Sequence, residues 1–119
     1  MFQEDYILRQ IQSMAQALAK IMFRKDTTRY ELPAESERSA ADFLYLRLKK
    51  LIGEGELNQA ENLLFDQLDT SDLRYLELAV DFYSELNRFD NRYLDAHDFS
   101  RSEIQQGLQE ISEMYHTVI

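Results

Sequence analysis

The chain has 119 residues, 45% of them apolar, and a formal net charge of −9 at pH 7. That length suits one domain whose core needs no staples, and seven Phe with seven Tyr can fill that core, which excludes a disordered chain. The absence of Cys excludes a disulfide framework and a thiolate metal site.

Charge is unevenly placed. Residues 1–60 carry nine Lys/Arg and nine Asp/Glu, whereas 61–119 carry four Arg, no Lys and thirteen acids. The second half would repel a phosphate backbone, so a nucleic-acid role would have to use the first half alone, through Arg9, Lys20, Arg24, Lys25 and Arg29 or Arg38, Arg47, Lys49 and Lys50. These read as ordinary solvated helix faces, and no nucleic-acid partner is expected. The opening Met1 to Asp5 is acidic where a secretory leader would be basic, and no apolar run approaches the roughly 20 residues that span a bilayer. The reading is a cytoplasmic protein without a membrane partner.

Three Gly and one Pro leave room for long helices. The first is predicted from about Glu4 to Arg24. Ile7, Ile11, Met14, Leu18 and Ile21 recur at alternating spacings of four and three, a seam that asks for a partner helix in this chain or in a second copy. Its polar side is mostly Gln with few cations, unlike a membrane-surface helix.

Residues Lys25 to Glu35 read as a loop, after which Ser36 or Ser39 caps a second helix that reaches Ile52 and stops at Gly53 and Gly55. Phe43 and Leu46 project off its inward face beside Arg47 and Lys50, an apolar pair rimmed by cations that would suit docking unless the first helix covers it. A third helix spans Glu56 to Gln67. The cluster Asp69, Thr70, Ser71, Asp72 then caps a fourth that runs to about Arg88.

The fourth helix is predicted to be central. Apolar residues from Tyr75 to Phe89 cover over half its girth, leaving Glu77, Asp81, Ser84, Glu85 and Arg88 as one solvent-facing polar stripe. Residues Asp90 to Phe99, polar with Tyr93, Leu94 and Phe99 as anchors, read as a short helical turn folded back on the core. Ser100 and Glu103 form a capping box that opens a last helix with a narrow stripe through Ile104, Leu108 and Ile111.

Chemistry-bearing patterns are thin. Glu113 and His116 have the carboxylate–imidazole spacing of a di-iron helix, but such a site needs two copies plus two more carboxylates, and the only other His is His97. Asp95, His97 and Asp98 read as a solvated turn. No nucleophile elbow is present, and the acids beside Gly53 and Gly55 would repel a phosphate. No catalytic residue, cofactor or metal is expected.

Leu44, Leu48, Leu51, Gly55, Ala60 and Leu64 fall near the apolar and turn positions of a tetratricopeptide repeat, and "GELNQAENLL" resembles its interhelix turn. Arg47 and Leu48 stand where that repeat has a Leu-Gly pair. The resemblance implies hairpin packing rather than peptide capture, since a groove takes about three repeats. Over nearly its full length the chain also resembles a family of short all-helical proteins of unknown function from Firmicutes, through "QEDYILRQIQ" (Gln3 to Gln12), "LIGEGELNQAENLL" (Leu51 to Leu64) and "HDFSRSEI" (His97 to Ile104). That resemblance implies a bacterial helical protein and supplies no site residues.

The sequence therefore reads as one all-α domain, residues 1–119. Residues 1–25 form the long amphipathic helix, and 36–119 form a helical bundle core with tetratricopeptide-like hairpins. The expected function is a non-enzymatic interaction module, a homodimer through Ile7, Ile11, Met14, Leu18 and Ile21, with Phe43 and Leu46 as a further contact. The alternative is a small helical enzyme or ligand binder with a pocket lined by Tyr75, Tyr83 and Tyr93.

Overall fold

The computed structural model describes residues 2–23 and 27–115, with side chains at 5–20 and 27–115. Among the described residues six α-helices follow one another: α1 (Phe2–Phe23), α2 (Ala40–Gly53), α3 (Leu57–Gln67), α4 (Leu73–Asn87), α5 (Asn91–Ala96) and α6 (Arg101–Met114), with one 3-10 turn at Glu35–Glu37. No strand occurs among the described residues, and the architecture is an all-α bundle.

Local chemistry sets the helix ends. At α2 the Asp42 carboxylate reaches back to the Ser39 N–H at 2.8 Å, which selects Ser39 rather than Ser36 as the cap. Asp72 accepts the Arg74 N–H at 2.9 Å to start α4, and Asp90 accepts the Tyr93 N–H at 2.8 Å to start α5. The Ser100–Glu103 box closes reciprocally at 2.8 and 3.2 Å. After α2 the chain turns at Gly55, whose φ of +78° is a left-handed conformation open to Gly at little cost.

Helix α4 is the hub, packed by α1, α2 and α6, while α2 also packs on α3. Leu76, Leu78, Ala79, Val80, Phe82, Tyr83 and Leu86 are buried along it. Gly107 lets α6 approach closely, because a Cβ at that position would sit 2.3 Å from the Tyr83 hydroxyl oxygen.

The polar stripe of α4 faces solvent only at its C-terminal end: Arg88 is exposed and Ser84 and Glu85 are half-buried, but Glu77 and Asp81 are covered. Glu77 is 8% exposed and Asp81 7% exposed, because the segment from Thr27 to Arg38 crosses over them as a strap. The strap's anchor is Tyr30, itself buried, whose backbone N–H donates to Asp81 Oδ2 at 2.7 Å.

A second polar connector is buried where α4, α5 and α6 meet. The Arg101 guanidinium donates to the carbonyls of Asn87 and Phe89 at 2.7 and 2.8 Å and to the Asn91 amide oxygen at 2.9 Å. It satisfies carbonyls that the end of α4 leaves without intrahelical partners.

Candidate interaction surfaces

Helix α1 lies on α4 and α6. Ile11, Ala15 and Ala19 are at most 1% exposed, while Ile7, Met14 and Leu18 are half-buried and packed against the core's edge. At about 100° per residue the two sets are centred roughly 80° apart on the helix. The helix turns its small side chains inward so that its backbone can come close to α4 and α6. Ile11 is thus fully used inside the chain and is unavailable to a second copy in this arrangement; the side chain of Ile21 lies outside the described residues. The Leu8 carbonyl accepts from the Asn87 side chain at 3.1 Å, and Gln105 donates to Gln10 at 2.7 Å, fixing α1 along both neighbours.

What in-chain packing leaves over is the outer edge of α1. Tyr6 is 62% exposed and, with Met14, Gln10, Gln105 and Gln109, lines a shallow groove of about 550 Å³ between α1 and α6.

The outer flank of α2 is also open. Phe43 is 53% and Leu46 36% exposed, and α1, seated on α4 and α6, does not cover them. Arg47 and Lys50 lie on the same flank, exposed, at the wall of a groove of about 330 Å³ floored by Leu51 and Leu63.

The inner flank of α2 contrasts with this. Beneath the strap, Asp42 is 2% exposed and accepts from the Tyr30 hydroxyl at 2.6 Å and from Arg74 at 2.7 Å. Burial pushes the Asp42 carboxyl up, but the Ser39 N–H, the Tyr30 hydroxyl and the Arg74 guanidinium outweigh it and hold the group at about 2. Burial and the hydrogen bond to Asp42 push the Tyr30 phenol well above its usual range.

Arg74 lies over the Tyr30 ring at 4.2 Å and pairs with Glu77 at 3.5 Å. Tyr30 stacks on Tyr45 at 4.7 Å, and Lys49, over Tyr45, bridges to Asp81 at 3.3 Å and to Glu85. Burial works against the Lys49 charge, but Glu85 and Asp81 raise its pKa overall. Every ion in this cluster is answered by another, so its chemistry is that of a clasp holding the strap on α4.

Sequence reasoning missed the clasp because its members come from three separated segments. A signal was present: Tyr30 and Leu32 stand out as apolar anchors in an otherwise polar loop, and Glu77, Asp81 and Glu85 repeat at four-residue spacing on α4.

The remaining candidates do not converge. Tyr83 is wholly buried and donates to Glu61 at 2.6 Å; burial raises the Glu61 carboxyl, with Glu103 and Glu110 adding to it, against the lowering effect of Tyr83. Tyr93 is stacked between Phe89 at 4.2 Å and His97 at 4.1 Å. Tyr75 sits two turns before Tyr83, near Asp69 and Asp72, so the three tyrosines belong to different neighbourhoods. His97 is a packing tile rather than part of a solvated turn: its Nδ1 is 2.8 Å from the Tyr93 carbonyl, and a Cβ on Gly55 would meet its ring at 2.7 Å. Glu113 is exposed and His116 lies outside the described residues. Among the described residues no group of three or more His, Asp or Glu is placed to hold a metal, and no helix is long and apolar enough to cross a membrane.

Against known proteins, residues 1–116 match the model of a family of unknown function, DUF6483. The chain belongs to that family. No curated protein and no solved structure matched it.

Proposed function

We propose that this DUF6483 member is a non-enzymatic protein–protein interaction module of the bacterial cytoplasm that self-associates through the outer edge of α1. The observation that carries the reading is Tyr6, a large aromatic side chain 62% exposed at the rim of the α1–α6 groove, with Met14 half-buried beside it. A contact there would be isologous: α1 of one copy laid against α1 and α6 of the next, each copy contributing the same patch. Aromatic and Met side chains are the types enriched at such interfaces, and the rim of Gln10, Gln105 and Gln109 supplies hydrogen bonds, with Arg9 as its one charge among the described lining residues. The acidic C-terminal half is then turned toward a basic or helical partner, and the α2–α3 pair, similar in its turn to a tetratricopeptide unit, stiffens the module.

Sedimentation of the wild type and of Tyr6→Glu with Met14→Gln tests the proposal. The expected result is a wild-type dimer at tens of micromolar and a monomeric variant with the same helix content. A wild type that sediments as a monomer over the whole range would refute it.

A further inference from the structure

The outer flank of α2 is a second surface, distinct from the edge of α1. Its four outward residues follow helical spacing: Phe43, Leu46 and Arg47, then Lys50 one turn on. Two are large and apolar, 53% and 36% exposed. The other two are cations that make no ion pair among the described residues. Alongside runs the groove of about 330 Å³ floored by Leu51 and Leu63, with Glu54 closing its end.

The same helix shows what such a flank accepts. On its inner side Lys49 is met by α4, which brings Asp81 and Glu85 at four-residue spacing across the contact while Leu44 and Leu48 pack beneath. The outer flank repeats that combination of apolar contact and cation, without the helix.

We infer that this flank docks an acidic amphipathic helix of a partner protein. It rests on the reading of the chain as an interaction module and names the partner's chemistry. Leucines of the incoming helix fill the groove over Leu51 and Leu63 and pack against Phe43 and Leu46, in the helix-in-groove mode of recognition. Its carboxylates, one turn apart, meet Arg47 and Lys50. Elsewhere the surface is dominated by acids, thirteen of them after Ala60 against four Arg, so an acidic helix is repelled from the rest of the molecule and directed here, and a basic one is drawn away.

The probe is a synthetic alanine-based helix with a Leu seam flanked by Glu, with a Lys-flanked twin as control. Both are titrated into the isotope-labelled full chain and into its Tyr6→Glu variant, so that failure of self-association through α1 and failure of docking on α2 read out separately. Backbone resonances should move at Phe43, Leu46, Arg47, Lys50 and Leu63 with the Glu helix and not with its twin. Arg47→Glu with Lys50→Glu should weaken the Glu helix at least tenfold, leave the thermal midpoint unchanged and admit the Lys helix. No shift up to millimolar Glu helix, equal response to both helices, or shifts confined to α1 and α6 would each overturn the inference. Concentration-dependent shifts on α2 without peptide would overturn it too, by making the occupant a second copy.

Discussion

The two flanks of α2 carry similar residues under opposite conditions. On the inner flank Asp42 is enclosed by α4 and the strap while Tyr45 and Lys49 are half-buried beside it, and the charges are matched at hydrogen-bond or ion-pair distance. On the outer flank Phe43, Leu46, Arg47 and Lys50 stand in water. Removing water from a charge makes its partner obligatory, because an unmatched buried ion costs several kcal/mol. The inner charges therefore fix where the strap lies. The outer charges contribute almost nothing to folding and stay free to select a partner.

The contrast breaks first at the core both flanks depend on. Phe82→Ala should cost about 3 to 5 kcal/mol in denaturant unfolding, since Phe82 is 2% exposed on the hub helix and its cavity has little room to collapse.

Next comes the clasp. Asp42→Ala should cost about 2 to 4 kcal/mol, because it leaves the Tyr30 hydroxyl and the inner side of Arg74 without their shared acceptor. The sign with pH follows from the lowered carboxyl. The folded pKa of about 2 lies below the unfolded value of 3.8, so the stabilisation is complete above the unfolded value and is lost as pH falls through the folded one. Wild type should thus lose stability over that acid window more steeply than Asp42→Asn, and parallel curves would show that the Asp42 charge does not stabilise the fold.

The smallest effect belongs to the outer flank. Arg47→Ala should change stability by less than about 0.5 kcal/mol. An effect as large as that of Asp42→Ala would mean that the two flanks do not differ as described.

Much of the fold can be read from short stretches of sequence, since its signals are local. Ser39, Asp72, Asp90 and Ser100 begin helices through bonds to residues two or three positions on, and Gly55 ends one with a backbone angle. Such choices involve neighbours in the chain. The hub role of α4 was legible for the same reason, since apolar residues over most of a helix require neighbours on several sides.

What lay beyond reach depended on which face meets which. The seam through Ile7, Ile11, Met14 and Leu18 has the stronger hydrophobic pattern, yet of these only Ile11 is fully buried, and Ala15 and Ala19 share the centre of the contact with it, because the space between α1, α4 and α6 rewards close backbone approach. Glu77 and Asp81 look like a solvated stripe on α4 alone; they are covered because Tyr30, 51 residues before Asp81, brings an N–H to the carboxylate. The sequence by itself determined the helices, most of their described ends and the all-α class, for these rest on periodicity and capping within a few residues. Tertiary structure alone decided which charges are buried and which apolar residues remain outside, since water is excluded only where distant segments meet.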